Sequence, residues 1–287
     1  MENVWLHKRV LCYAHQGGAS EGPSSTLFAM ESALSAGADA IELDVHRSAD
    51  GVLIVCHDPT LDRTTDLKGA IAAHSSAEIA VADGAYWFVQ GRGAVQGEAL
   101  EAYSYRGRAH ADSRFGVATL DSVLEAFPDV SLNLDIKQGA PTVAPYEIEL
   151  GELLMRHQRL DDVIVTSFAD QSIKIFHDHA PQIGTAPGTS ALTMIVQAIR
   201  SGGEVPAALL DGHVALQVPL RVAGVWLVDD RLVSATHDLG LALHVWTVDD
   251  EEDMRKLIEL GVDGIMTDVP SVLARALGRD GQTTTAS

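Results

Sequence analysis

Short apolar runs alternate with amphipathic, helix-like stretches through most of the chain. The runs that predict strands cover residues 10–14, 40–45, 52–57, 131–136, 163–168, 183–186, 214–218, 241–248 and 264–267. Alternating strands and helices favour a parallel sheet with helical crossovers, and a chain of this length matches a single α/β fold, the (β/α)8 TIM barrel. Nine runs compete for eight positions, so we expect either 183–186 or 214–218 to lie outside the barrel.

The stretch from 58 to 116 departs from this alternation. It is rich in alanine, glycine and short polar residues, and its periodicity is weak. A structureless loop of this length is unusual inside a compact domain, so we predict a small insertion after the third strand, with structure of its own above the barrel rim. Its aromatic cluster at 86–88 predicts a local core; a lipid or substrate contact remains open. We expect one domain over 1–287, with a flexible polar tail at 280–287.

Acidic residues interrupt two of the apolar runs. Glu42 and Asp44 are two positions apart on a predicted strand, so their side chains share one face, while the residues between them are apolar. Buried like charges repel unless a proton or cation neutralises them. Asp135, in the next barrel run, supplies a third carboxylate. The pattern predicts a hard divalent cation, Mg²⁺ or Ca²⁺; the alternative is a solvent-facing edge strand.

Two histidines end predicted strands beside these carboxylates. His15 and His57 each close an apolar run, and imidazole titrates near neutral pH, so the pair predicts a general acid and a general base. Which residue is the acid remains open. Lys137 shares a strand face with Asp135 and is predicted to contact phosphate oxygens. A salt bridge from Lys137 to Glu42 or Asp135 is the alternative.

Two further residues at strand ends complete the set of site predictions. Ser167 is placed to hydrogen-bond a phosphate group, and Trp246 to form a wall of the substrate pocket. Packing alone explains either residue equally well, so both interpretations stay open.

Charge and cysteine content restrict partners and compartment. Forty acidic against twenty basic residues give a formal net charge of −20, which disfavours nucleic acid and anionic membrane surfaces. The two cysteines do not form a disulfide framework. No apolar run is long enough to span a bilayer, and the first residues lack the apolar core of a signal peptide. We expect a soluble cytoplasmic protein with a small-molecule substrate, and no integral membrane association; the oligomeric state is left open.

Together these motifs resemble the glycerophosphodiester phosphodiesterase family. The resemblance is carried by His15 and Gly17, by Glu42 and Asp44 after 37–39, by 57–59 followed by 61–65, and by 135–137, 167–168, 246–248 and 261–268. It implies Glu42, Asp44 and Asp135 as metal ligands, His15 and His57 as the acid–base pair, and Lys137 as a phosphate contact. It also implies cleavage of deacylated phospholipids to glycerol 3-phosphate and an alcohol.

The chain departs from the family pattern near its first histidine. Gln16 stands where an arginine is usual, so a neutral amide takes the place of a guanidinium at an expected substrate contact. Ser24 and Ser25 replace the usual glutamate and asparagine. These changes keep two alternatives open: a lysophospholipase D or sphingomyelinase D-like enzyme, and a barrel that binds phosphate esters without cleaving them.

Overall fold

The computed structural model describes residues 3–6, 9–137 and 144–279. Its strands in chain order are β1 Leu11–His15, β2 Ala40–Arg47, β3 Leu53–Val55, β4 Phe88–Val89, β5 Gly93–Ala94, β6 Ser131–Ile136, β7 Val163–Thr166, β8 Gly184–Thr185, β9 Ala215–Pro219, β10 Arg221–Val222, β11 Val225–Trp226, β12 Ala242–Trp246 and β13 Gly264–Thr267. Eight of them form one parallel sheet in the order β8-β7-β6-β2-β1-β13-β12-β9. The predicted (β/α)8 barrel is therefore confirmed.

The barrel closes between β8 and β9. Thr185 forms a parallel bridge with His213, and the amide of Val214 donates to the carbonyl of Thr185 over 2.9 Å. Both 183–186 and 214–218 thus contribute barrel strands, and the expectation that one of them lies outside is wrong.

The strand that does lie outside the parallel set is β3. It pairs antiparallel with β2, with Val55 opposite Val45, after a short turn at Gly51. A parallel partner would have required a crossover of a dozen or more residues, and only a few separate β2 from β3. The prediction that 52–57 forms a parallel barrel strand is therefore wrong. The chain doubles back instead and still delivers His57 to the barrel rim.

Nine α-helices are present in the described ranges: α1 Leu27–Ser35, α2 Ser76–Ile79, α3 Leu120–Ala126, α4 Glu147–Arg156, α5 Asp170–His179, α6 Thr189–Ser201, α7 Asp230–Asp238, α8 Glu251–Leu260 and α9 Pro270–Ala276. Local sequence explains their ends. Asp250 caps the first amides of α8, and Gly261 ends it at a φ of 77°. The pattern of the sequence had not predicted α6.

The strands of the barrel bury apolar side chains on the face that meets the helices. Ile41, Leu43 and Val45 on β2 are fully buried among the residues of the surrounding helices. Alternation along the strand then turns Glu42 and Asp44 to the barrel interior. Burial of the apolar face therefore fixes the direction of the acidic one.

Segment 58–116 contains α2, the two-stranded β4–β5 pair and several 3₁₀ turns. The ring of Phe88 stacks on that of Tyr105, with 5.7 Å between centroids. The guanidinium of Arg106 lies 3.7 Å from the ring centre of Tyr103 and 4.2 Å from that of Tyr86. The aromatic cluster at 86–88 thus packs within this segment. The tail predicted at 280–287 lies outside the described residues.

Candidate active site

A cavity of about 790 Å³ opens at the carboxyl ends of the barrel strands. The predicted site residues that line it are His15, Glu42, Asp44, His57, Asp135, Lys137, Ser167 and Trp246. Parallel strands of a barrel all present their carboxyl ends at one rim, which is where α/β barrels carry their chemistry. Residues from distant parts of the sequence therefore meet in one space.

Three carboxylates and one ammonium share the floor of this cavity. Glu42, Asp44 and Asp135 are buried, and Nζ of Lys137 lies 2.8 Å from Oδ1 of Asp44 and 2.7 Å from Oδ2 of Asp135. Burial and the charge of Asp44 raise the pKa of Glu42. Burial also raises the pKa of Asp135, against the opposing effect of Lys137. Ionisation of all three carboxylates would therefore place more negative charge on the floor than Lys137 compensates.

The donor set fits a hard divalent cation. Oδ2 of Asp44 and Oδ1 of Asp135 are buried and accept no hydrogen bond from a described residue. Buried carboxylate oxygens without partners are costly, and they are the ligands that Mg²⁺ and Ca²⁺ prefer. Within the described ranges, however, no three His, Cys, Asp or Glu side chains are arranged as a ready metal cage. The ammonium of Lys137 lies between two of the carboxylates.

His15 is held by a carboxylate at the end of the last barrel strand. Its Nδ1 lies 2.6 Å from Oδ1 of Asp268, and its Nε2 lies 3.7 Å from Oε2 of Glu42. Burial acts to lower the pKa of His15, but Glu42 and the bond to Asp268 outweigh it and raise the pKa to about 9. In the sequence, Asp268 was noted only as the last residue of the family motif at 261–268. Pairing of the first and last barrel strands, which a closed barrel requires, could have predicted its contact with His15.

His57 has an equivalent support. Its Nδ1 lies 2.7 Å from Oδ1 of Asp58, and Arg63 donates to both oxygens of that carboxylate over 2.7 and 3.1 Å. Burial acts to raise the pKa of Asp58, but the hydrogen bonds from His57 and Arg63 hold that pKa below its usual range. The two imidazole rings lie 6.4 Å apart between centroids, at an angle of 76°. Two carboxylate-supported histidines therefore face one cavity.

Comparisons with known proteins agree with this geometry. The model of the glycerophosphoryl diester phosphodiesterase family matches residues 15–272. The chain belongs to that family. A glycerophosphodiester phosphodiesterase of Bacillus altitudinis is 30% identical over 265 residues, which cover 90% of this chain and 94% of the relative. The crystal structure of one from Agrobacterium tumefaciens is 25% identical, covers 93% of this chain and 99% of that one, and superposes with a TM-score of 0.69.

A second similar structure, from Oleispira antarctica, is a phosphodiesterase in complex with the product sn-glycerol-3-phosphate. It is 23% identical, covers 94% of this chain and 96% of that chain, and has a TM-score of 0.69. Family membership makes this chain a phosphoric diester hydrolase. No α-helix within the described ranges combines the length and the apolar character that a bilayer crossing requires.

In this phosphodiesterase the residues that depart from the family pattern contact one another. Oγ of Ser24 donates to Oε1 of Gln16 over 2.7 Å, and both side chains are buried. The backbone amide of Gln16 donates to Oε2 of Glu42 over 3.2 Å. The side-chain Nε2 of Gln16 lies 3.4 Å from Nε2 of His15. A neutral hydrogen-bonded pair therefore stands where the family usually has two charged residues. Direct contact of Gln16 with substrate stays a prediction.

The other two predicted substrate contacts lie at the cavity wall. Oγ of Ser167 donates to the carbonyl of Ile136 over 2.8 Å, so its proton is already engaged within the protein. The ring of Trp246 meets that of Phe168 edge to face, with 5.8 Å between centroids. Phe168 is 59% exposed and lines the cavity with Trp246. Aromatic side chains thus form one side of the entrance.

Proposed function

We propose that this phosphodiesterase hydrolyses glycerophosphodiesters to sn-glycerol 3-phosphate and a free alcohol in a reaction that depends on a divalent cation. The observation that carries the proposal is the pair of histidines, His15 and His57, each backed by a carboxylate and facing the acidic floor of one cavity. The complex of the related Oleispira antarctica enzyme with sn-glycerol-3-phosphate supports the same product here.

The acidic floor suits a cation that would accompany the substrate. Glu42, Asp44 and Asp135 would hold Mg²⁺ or Ca²⁺, whose charge would neutralise the anionic oxygens of the phosphodiester. Lys137, the only lysine or arginine among the described residues that line the cavity, supplies a positive point charge beside two of these carboxylates.

The histidines supply the proton transfers. One imidazole removes the proton of the glycerol 2-hydroxyl, whose oxygen then attacks phosphorus, while the other donates a proton to the oxygen of the leaving alcohol. The product of this step is a five-membered cyclic phosphate. Water opens that ring with the two roles exchanged, which returns both histidines to their starting protonation states. Asp268 and Asp58 keep the two rings oriented throughout, through bonds to Nδ1.

Release of sn-glycerol 3-phosphate from glycerophosphocholine tests the activity. We expect EDTA to abolish release, and Mg²⁺ or Ca²⁺ to restore it. His15→Gln and His57→Gln should each lower kcat by about 10²–10⁴. His237→Gln is the matched control, because Nε2 of His237 lies 2.7 Å from Asp263 in a similar pair that is not part of the cavity lining. Turnover that resists EDTA would contradict the metal requirement, and near-normal kcat in either active-site variant would contradict the histidine roles.

We also propose that the enzyme acts in the reducing cytoplasm. Cys12 and Cys56 are both buried and unpaired, and burial, reinforced for Cys12 by Asp39, raises the pKa of each thiol to about 12. Such thiols are inert, and a chain without disulfides suits a reducing compartment.

The two intact histidine dyads disfavour the alternative of a barrel that binds phosphate esters without cleaving them.

A further inference from the structure

The cavity has a second half that the proposed chemistry does not use. Its histidine, carboxylate and lysine side chains gather on one side, around Asp44 and Lys137. The side across the barrel, at the ends of β8, β9 and β12, is lined mainly by apolar side chains: Leu192, Val196, Val218, Val222, Leu227 and Trp246. A volume of about 790 Å³ is in the range that holds drug-sized ligands. A group bound only at the polar half would therefore leave part of the cavity empty.

Helix α6 contributes Leu192 and Val196 to this apolar half, together with three polar side chains. Thr189, Leu192, Thr193, Val196 and Gln197 all line the cavity, and their spacing places them on one face of the helix. An adjacent face carries Ile195 and Ile199, which are buried in the core beneath. The helix is therefore anchored by one face and offers the other to the cavity.

The β10–β11 hairpin and two rings complete the apolar wall. Val222 on β10 lines the cavity and is 54% exposed, and Leu227 lies just after β11. The hairpin turns at Ala223 and Gly224, both with positive φ, as a tight two-residue turn requires. The ring of Phe168 contacts that of Trp246 edge to face at this wall, and Nζ of Lys137 lies 5.5 Å from the ring centre of Phe168.

Charge distinguishes between two classes of alcohol that this half could receive. Apart from the histidines, the only charged side chains among the described residues that line the cavity are Glu42, Asp44, Asp135 and Lys137, all in the polar half. A quaternary ammonium would meet no counter-charge in the apolar half, and the face of Phe168 already has the ammonium of Lys137 near it. The apolar half therefore suits an uncharged hydrocarbon group. Glycerol, with its hydroxyls, suits the polar half.

We propose that the α6 face and the β10–β11 hairpin bind an apolar chain on the leaving alcohol, and that this enzyme selects glycerophosphodiesters by the length of that chain. The inference rests on the proposed function, since it concerns the same phosphodiester. Burial of one methylene is worth about 0.8 kcal/mol, so each added methylene should raise kcat/KM about two- to fourfold until the wall is filled.

A homologous series measures this selectivity. The substrates are glycerophosphoalkanols with straight chains from methanol to decanol, at concentrations below micelle formation, with glycerol 3-phosphate as the common product. A rise in kcat/KM along the series supports the inference, and a flat or falling series overturns it. If no member of the series, the methyl ester included, releases glycerol 3-phosphate, the proposed function has failed instead.

A neutral isostere of choline separates apolar from cationic recognition. Glycerophosphocholine and the glycerophosphodiester of 3,3-dimethylbutanol differ in shape by little and in charge by one unit. We expect the neutral diester to be hydrolysed with a kcat/KM equal to or above that of the choline diester. If kcat/KM for the choline diester is tenfold higher or more, the wall recognises positive charge and the inference is overturned.

Two variants test whether residues of the apolar wall cause the selectivity for chain length. Val196→Thr changes an apolar group to a hydroxyl of nearly the same shape, and Phe168→Ala removes an exposed ring. Each should lower the ratio of kcat/KM between the octanol and methanol diesters about three- to tenfold. Met194→Gln is the control, because Met194 is 48% exposed on the same helix and does not line the cavity. Because the ratio is taken within one variant, partial misfolding cannot produce it. An unchanged ratio in both wall variants would overturn the assignment to α6 and Phe168.

Discussion

Oδ1 of Asp268, just after the last barrel strand, lies 2.6 Å from Nδ1 of His15 at the end of the first. The two residues are 253 positions apart in the sequence and meet because β13 pairs with β1. A carboxylate on Nδ1 fixes the orientation of the ring and directs Nε2 towards Glu42 and the cavity. Asp268 is therefore a positioning residue for His15.

Replacing this carboxylate should impair turnover more than binding. In Asp268→Asn the amide can donate to Nδ1, which favours the wrong tautomer, and the negative charge that stabilises a proton on Nδ1 is lost. We expect kcat to fall by about 10²–10⁴ while KM changes little. Steady-state kinetics on glycerophosphocholine with the cation present would measure both constants.

A surface pair of the same chemistry is the control for this experiment. Asp121 lies 2.8 Å from Nε2 of His157 and is 52% exposed, so Asp121→Asn should leave kcat unchanged. If Asp268→Asn shows a normal kcat, Asp268 does not position His15. A fall in kcat accompanied by an equal fall in folded fraction would also count against the positioning role.

Lys137 should compete with a cation for Asp44 and Asp135. Lys137→Met leaves both carboxylates buried without their partner. We expect the free energy of unfolding in EDTA to drop by about 2–3 kcal/mol, somewhat less than for a fully buried pair, since the lysine side chain is 20% exposed. Added Ca²⁺ or Mg²⁺ should then raise the melting temperature more in the variant than in the wild type, because the ammonium no longer occupies the site.

Thermal melts with EDTA and with a cation titration measure this exchange. Lys174→Met is the matched control, since Lys174 pairs with Asp178 on an exposed helix surface and neither residue touches the cavity. Lys174→Met should change the melting temperature in EDTA only slightly, and it should leave the rise in melting temperature on adding cation as in the wild type. A response to cation in Lys137→Met no larger than that of the wild type would contradict a metal site at these carboxylates.

The sequence predicted what local periodicity and strand order determine. Alternation on β2 was enough to direct Glu42 and Asp44 inward, and strand ends were enough to gather the histidines at one rim. The direction of β3 was predicted wrongly, because a strand of three residues carries no periodic signal and its pairing is decided by the length of the preceding turn.

Two other features were not predicted, for different reasons. Helix α6 was missed although its apolar residues at 192, 195, 196 and 199 have helical spacing, and that signal could have been used. The ion pair of Lys137 with Asp44 could not be foreseen in the same way. It depends on the register between β2 and β6, which sets Asp44 directly opposite Asp135.

Gln16 and Ser24 should behave as one energetic unit. Gln16→Arg places a guanidinium in a buried position where only a hydroxyl faces it, and Ser24→Glu alone buries a carboxylate opposite an amide oxygen. Each single change should destabilise the protein, and the double variant Gln16→Arg with Ser24→Glu should recover part of that loss through an ion pair. We expect a coupling of about 1–3 kcal/mol by urea denaturation. The pair Gln16→Arg with Ser201→Glu, which places the new carboxylate at the exposed end of α6, should be additive. Additivity in both cycles would contradict the coupling.

His213 should make the stability of the barrel sensitive to acid. Its Nδ1 lies 2.8 Å from Oγ1 of Thr185 across the seam between β8 and β9. Burial lowers the pKa of His213 to about 4, and His177 adds to this effect, while Asp211 and Asp170 oppose it. Between about pH 6.5 and 4 the unfolded chain therefore binds a proton that the folded one does not. Stability should fall as the pH drops through this window, by up to about 3 kcal/mol.

His213→Asn should lessen this loss, because asparagine keeps polar atoms near Thr185 and does not titrate. Urea denaturation at pH 7, 6, 5 and 4.5 would give the slope of the unfolding free energy for both proteins. His110→Asn, at an exposed histidine, should leave the slope as it is in the wild type. Equal slopes for His213→Asn and the wild type would show that His213 is not the group that takes up the proton, because a buried neutral imidazole at the seam requires the variant to be the less acid-sensitive of the two.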